Sequence, residues 1–285
     1  MYDIRDIRIL ILVDNQTVGG LEVEHGFAAW IETPDLRILF DTGQSDIVAR
    51  NADRLHCDLG KADVCVLSHG HYDHTGGLPA VLNLNPRLQL YAHPDCLLER
   101  YSIHEGAGPK PVSMPAAARA ALEHLPENQI NWVLGWERIG PGLFLTGPIP
   151  REHPLEDTGG PFFLDREGTQ KDWIRDDLAL CIQTNKGLIV VTGCCHSGVI
   201  NTLAFATRKS DEMPIVDTLL GGLHLKSADA ARMQATIADL RARSIRQIVA
   251  CHCTGIDAAS QLREALGPAV TTGRSGLTYP SIPGT

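Results

Sequence analysis

"VLSHGHYDHTGGL", residues 66–78, sets three histidines and an aspartate within the six positions from His69 to His74, directly behind a short apolar run. In an extended backbone, side chains two apart point the same way, so His69 and His71 can converge on one ion from the end of a strand at Asp63–Leu67. Asp73 and His74 come after a turn, at other angles, and can approach a second ion a few ångströms away. Neutral imidazole and carboxylate are ligands that zinc, iron and manganese accept, with zinc favoured by the imidazole count. A single histidine here would read as a solvated turn residue or a cap. Four such groups followed by Gly76 and Gly77, where the chain must turn sharply, read as a metal-binding loop.

A metal needs further ligands, and the chain offers them at the same punctuation. "LIVVTGCCHSG" (188–198) puts His196 just beyond an apolar strand, "DTLLGGLHL" (217–225) does so for His224, and "IVACHCTG" (248–255) for His252. Ligands gather beyond strand ends in an open sheet, so these residues can meet although they are far apart in the chain.

The 285 residues are 44% hydrophobic, enough for one large core, and read as a single domain over 1–285. A net charge of -9 without a run of Lys or Arg argues against a nucleic-acid partner. The start of the chain, "MYDIRDIRILILVDN", has an apolar core of only Ile9–Val13 and reads as a first strand rather than a leader, and nothing is long enough to span a bilayer. A cytoplasmic protein acting on a small molecule is expected, with no membrane or nucleic-acid partner. The eight cysteines show no C-x-x-C pair and read as reduced thiols in packing roles.

Strand-like stretches fall at 7–13, 27–33, 37–40, 63–67, 88–92, 143–146, 178–184, 188–192, 215–220 and 246–250, with a tight hairpin at "NKG". Helical patterns lie at 46–55, 78–82, 199–207, 228–243 and 258–266. The fourth has Ala230, Met233, Ile237 and Leu240 as its apolar face and Ser227 as its N-cap. Hairpins precede helices in each half, which predicts an α/β fold with mixed sheets covered by helices. Residues 103–130 and 147–172, rich in Pro, Gly and charge, read as long loops or a small helical insertion that sets specificity.

With these residues in view the chain resembles the metallo-β-lactamase fold superfamily. The H-x-H-x-D-H signature stands as His69, His71, Asp73 and His74, the later histidines match His196 and His252, and "LFDTG" matches the early aspartate, Asp41. "EHGF" (24–27), "TGCCHSG", "GGLHL" and "HCTG" further resemble the metal-dependent hydrolase subgroup that includes the archaeal dihydropterin ribofuranosylaminobenzene 5'-phosphate synthase. The resemblance implies a four-layer αββα sandwich. It implies a first metal on His69, His71 and His196, a second on Asp73, His74 and His252, and Asp41 supporting the metal loop from behind. It also places a metal-bridging aspartate within "GGLHL", where this chain carries no carboxylate and has His224 instead. Asp217 is the carboxylate nearest upstream and falls inside the strand.

The function implied is metal-dependent hydrolysis of a small, anionic, ester-like metabolite by one or two divalent ions, zinc first, with manganese or iron as alternatives. A bound ion lowers the pKa of its water from about 15.7 towards 7 and so makes hydroxide available at neutral pH. Asp73 would orient that hydroxide, and His224 would donate to the leaving group or hold a substrate oxygen. Lys226 and Arg274 are candidates for anion binding, and His25 for lining the pocket. Two other readings stand beside this one: a transferase condensing a dihydropterin diphosphate with a ribofuranosylaminobenzene phosphate, and a metal-dependent ligand sensor without turnover.

Overall fold

The computed structural model describes residues 1–210 and 215–280. Strands such as Arg8–Val13, "RILILV", are apolar at successive positions because both of their faces are covered. Ile9 and Ile11 point into a central layer with Ile31, Phe40 and Val66. Leu10 and Leu12 point the opposite way, against Val48, Ala52, Leu78 and Val81 of the helices Ile47–Arg54 and Leu78–Leu84.

Two seven-stranded sheets result. The first runs, in spatial order, Thr278–Tyr279, Arg8–Val13, Ala28–Glu32, Arg37–Phe40, Val64–Val66, Gln89–Ala92, Ile130–Trp132. The second runs Val270–Thr272, Gln247–Cys251, Val216–Gly222, Gly187–Thr192, Ala179–Thr184, Leu143–Leu145, Glu137–Gly140. Each is antiparallel through its hairpins and parallel through its helical crossovers. The helices Val199–Lys209, Ala230–Ala242 and Ile256–Leu266 cover the outer face of the second sheet. The layers are therefore helix, sheet, sheet, helix, the αββα sandwich expected from the sequence.

The "NKG" hairpin forms, pairing Thr184 with Gly187. The fourth helix departs from its reading. It starts at Ala230, and the cap is Asp229, whose carboxylate accepts from the Arg232 amide, so Ser227 lies too early in the chain to cap it. Its buried face is Arg232, Met233, Thr236 and Leu240, while Ala230 is exposed. Arg232 can be buried there because Asp157 pairs with its guanidinium, a partner no local pattern reveals.

Residues 103–130 and 147–172, expected as long loops or a small helical insertion, hold both a short helix and short strands. They contribute the helix Ala116–Glu123 and the strands Lys110–Pro111 and Phe162–Phe163, which with Tyr101–Ser102 make a third, three-stranded sheet. That sheet lies across the mouth of the site. No helix among the described residues is long and apolar enough to cross a membrane.

Candidate metal centre

The ligand-type residues lie just past the C-terminal ends of strands from both sheets: His69 after Val64–Val66 of the first, and His196 after Gly187–Thr192, His224 after Val216–Gly222 and His252 after Gln247–Cys251 of the second. The chain turns abruptly there, and Asp41, Cys195, His224 and His252 all take positive φ, between 46° and 60°. Such conformations cost about 1–3 kcal/mol each and are kept where a site requires them. Asp73 and His74 lie on a single helical turn, Tyr72–Thr75, capped by His71.

Hydrogen bonds at the back of the rings decide which nitrogens face the centre. His69 Nδ1 donates to Ser68 Oγ at 2.9 Å, His74 Nδ1 to Asp41 Oδ2 at 2.7 Å and His196 Nδ1 to the Thr158 carbonyl at 2.8 Å. His252 Nδ1 donates to Asn15 Oδ1 at 2.8 Å. In all four rings Nδ1 is thereby engaged from behind and Nε2 is the nitrogen turned to the centre, the one a metal would take. Asp41 is fully buried and also accepts from the Ser68 amide and hydroxyl, so it braces the loop behind His69 and His74.

The rings of His69, His71 and His196 stand 4.6–4.9 Å apart, centroid to centroid. His69 Nε2 and His71 Nδ1 are 3.0 Å apart, and two nitrogens on one tetrahedral zinc stand about 3.3 Å apart, given Zn–N bonds of 2.0–2.1 Å. On the other side, Asp73 Oδ2 lies 3.3 Å from His252 Nε2, 3.9 Å from His74 Nε2 and 3.1 Å from His25 Nε2. The six residues expected to hold two ions are thus brought together. His224 stands beside them, 4.3 Å from the His196 ring. Gly159 packs against it with φ of 80°, where any Cβ would collide with the imidazole.

Metal fits these residues on their own evidence. His196 Nε2, His252 Nε2 and His224 Nδ1 are buried without a hydrogen-bond partner, and each such group costs about 1–3 kcal/mol if left unsatisfied. Burial holds His69 and His196 well below the ordinary imidazole range, and neighbouring imidazoles push the same way. Burial likewise takes His71 down to about 3, with Arg100 adding to the shift. For Asp73, burial alone would raise the pKa, but His74, His25 and His252 hold it well below the usual carboxylate range. Burial is also overcome at His74, which Asp41 and Asp73 lift to about 9. A divalent cation would satisfy the same carboxylates that draw a proton there.

The centre forms the floor of a cavity of about 380 Å³ whose walls include Tyr72, His104, Lys110, Phe162 and Lys226. His25, about half exposed, lies on its rim, whereas Arg274 is exposed and does not line it. Phe162 packs 5.0 Å from His71 and 5.4 Å from His196, closing the side facing the third sheet.

Sequence reasoning overlooked several residues. Arg100, fully buried, pairs with Asp176 (2.8 Å) and Asp172 (2.9 Å), and Asp176 accepts from the Gly70 amide at 2.7 Å, fixing the metal loop from beneath. Asn15 and Thr158 orient two rings, yet neither carries a local signal. Cys194 did carry one: it ends the same apolar strand that delivers His196, and its sulfur lies 3.2 Å from His74 Nε2. The residue between the two histidine groups is therefore Cys194. His224, in the position the resemblance gave to a bridging aspartate, lies to one side.

A four-layer sandwich with an H-x-H-x-D-H loop at its strand ends defines a class of metal-binding proteins. The family model for the metallo-beta-lactamase superfamily matches residues 21–169, and the chain belongs to that superfamily. It is 30% identical over 253 residues to the 7,8-dihydropterin-6-methyl-4-(beta-D-ribofuranosyl)-aminobenzene-5'-phosphate synthase of Methanocaldococcus jannaschii, covering 85% of this chain and 84% of that one. It is 32% identical over 261 residues to an uncharacterized protein of the same archaeon, covering 90% and 94%. Among solved structures it is similar to Tm1679, described as a metal-dependent hydrolase of the beta-lactamase superfamily, with 27% identity, a TM-score of 0.81 and coverage of 95% and 98%. It shares the fold of YhfI from Bacillus subtilis at 12% identity, a TM-score of 0.56 and coverage of 96% and 98%.

Proposed function

We propose that this protein is a metal-dependent hydrolase of a small, anionic, ester-like metabolite. One observation carries the reading: bare, buried imidazole nitrogens converge on the floor of a cavity whose walls bring two ammonium groups, Lys110 and Lys226. When bound, a divalent ion supplies Lewis acidity and activates water at neutral pH, and zinc suits the imidazole-rich donor set best.

The chain's own residues then divide the work. Lys110 and Lys226 are exposed at the rim and draw in a phosphate or carboxylate by charge. Phe162 covers the metal floor and keeps bulk water from one side. Asp73 is ionised and aimed inwards, so Oδ2 can accept a hydrogen bond from an attacking water and orient it. His25, 3.1 Å from that oxygen and half exposed, takes the water's proton out to solvent. His224, beside His196 and facing the cavity, holds the leaving-group oxygen. The excess of negative charge on the chain favours a small molecule over nucleic acid as its partner.

The likeness to the archaeal synthase over 85% of this chain supports a second reading, in which the same residues position an aromatic nucleophile instead of water. Metal-loaded protein assayed on phosphate mono- and diesters, thioesters and lactones, and separately on a dihydropterin diphosphate with a ribofuranosylaminobenzene phosphate, separates the two. The hydrolase reading expects turnover in the first series. Condensed product in the second without turnover in the first would replace hydrolysis by transfer.

A further inference from the structure

We infer that the thiolate of Cys194 is the ligand shared by the two metal positions, where relatives are expected to use a bridging carboxylate. The inference rests on reading the histidine cluster as a two-ion centre. Its own support is positional. Cys194 Sγ lies within 4.8 Å of ligand atoms of His69 and His196, within the same distance of His74 and His252, and again of His224 and Cys253. Among the described residues it is the only side chain common to the His69 and His74 groups. Asp73, the one carboxylate in these groups, joins only His25 and His252.

The distances suit coordination. His74 Nε2 and Cys194 Sγ are 3.2 Å apart, close to the roughly 3.5 Å between nitrogen and sulfur on one tetrahedral ion with bonds of 2.0–2.1 Å and 2.3 Å. The placement is also enforced. Gly193 precedes the cysteine, and a Cβ there would collide with Ser68 Oγ and Asp41 Oδ2, the groups that orient His69 and His74. The absence of that Cβ lets the strand end settle onto the histidine loop.

An ordinary packing role does not account for this residue. Buried free cysteines usually act as small hydrophobes, and Cys65, Cys96, Cys181, Cys195 and Cys251 do pack within the three apolar clusters of the core. Cys194 and Cys253 belong to none of them, although both are buried. On metal binding the Cys194 thiol gives its proton to solvent, and the sulfur lone pairs are shared between the two ions. A soft bridge turns an imidazole and carboxylate site towards zinc, cobalt(II) and iron(II), and away from manganese and magnesium.

X-ray absorption on the full chain loaded with zinc or cobalt(II) tests this without relying on activity. The wild type is expected to bind two ions and to show a sulfur shell at about 2.3 Å, together with a thiolate-to-cobalt charge-transfer band. Cys194→Ser is expected to lose the sulfur shell and at least one of the two ions. Cys194→Asp is expected to keep two ions without sulfur and to bind manganese at least tenfold better relative to zinc. Cys253→Ser is expected to keep the sulfur shell. Two bound ions with only nitrogen and oxygen neighbours in the wild type would overturn the bridge while leaving the metal centre intact, whatever the variants do. A sulfur shell lost in Cys253→Ser and kept in Cys194→Asp would reassign the ligand and overturn it as well. Failure of the wild type to bind either ion would remove both the bridge and the metal centre beneath it.

Discussion

Asp41 and His74 are joined by a 2.7 Å hydrogen bond between two fully buried side chains, and the same Asp41 oxygen accepts the Ser68 hydroxyl that in turn holds His69. One carboxylate thus sets the orientation and tautomer of a ligand on each side of the centre. Asp41→Asn keeps the shape but replaces an acceptor with a donor. It is expected to weaken zinc binding about 10–100-fold, read by competition with a chromophoric chelator. Unchanged affinity would mean that the bracing is dispensable.

His69→Ala removes a ligand and leaves a small polar cavity at the surface of the core rather than within it. Metal affinity and turnover are expected to collapse, while the far-ultraviolet circular dichroism of the metal-free protein stays native. Loss of the folded signal instead would make the cluster structural.

Arg100 carries a different load. Its guanidinium faces the carboxylates of Asp172 and Asp176 with all three groups buried, so Arg100→Met strands two carboxylates and is expected to cost about 3–5 kcal/mol near neutral pH. The sign of the pH dependence follows from Asp176. Burial would raise its pKa, yet Arg100 holds it below the usual range, so its stabilising share is present above the unfolded value and is lost as pH falls through the folded one. Urea midpoints of wild type and variant should therefore differ fully at pH 5–7 and converge below about 4, the unfolded carboxylate range. A constant difference across that range would contradict the pairing.

Lys110 and Lys226 contact no reacting atoms in this account and act through charge at the rim. Replacing either with Ala is expected to raise KM for an anionic substrate about tenfold, roughly 1.4 kcal/mol, with kcat little changed. A fall in kcat at constant KM would move that lysine into the chemistry.

Legibility in the sequence followed locality. His69, His71, Asp73 and His74 could be read because one strand end and one helical turn deliver all four, and the two-layered strands showed themselves as unbroken apolar runs such as Ile9–Val13. His196 and His252 were visible as polar groups ending apolar strands. The hydrogen-bond partners that orient the rings were not, since Asn15 meets His252 across 237 positions and Thr158 meets His196 across 38. Arg100 and Asp176, 76 positions apart, were hidden for the same reason. Residues 103–130 and 147–172 read as long loops or a small helical insertion, and their short strands went unseen because these find partners only in each other's neighbourhood. Cys194 was in plain view, but a cysteine at a strand end looks the same whether it packs or ligates, and only the convergence of His69, His74, His196 and His252 around it separates the two.

The central claim is that this strand-end cluster is a metal centre, and metal content tests it most directly. Elemental analysis of the full chain purified without chelator, and again after chelation and reloading with zinc, is predicted to give one to two ions per chain in both preparations. Less than about half an ion per chain, with no recovery on reloading, would contradict it.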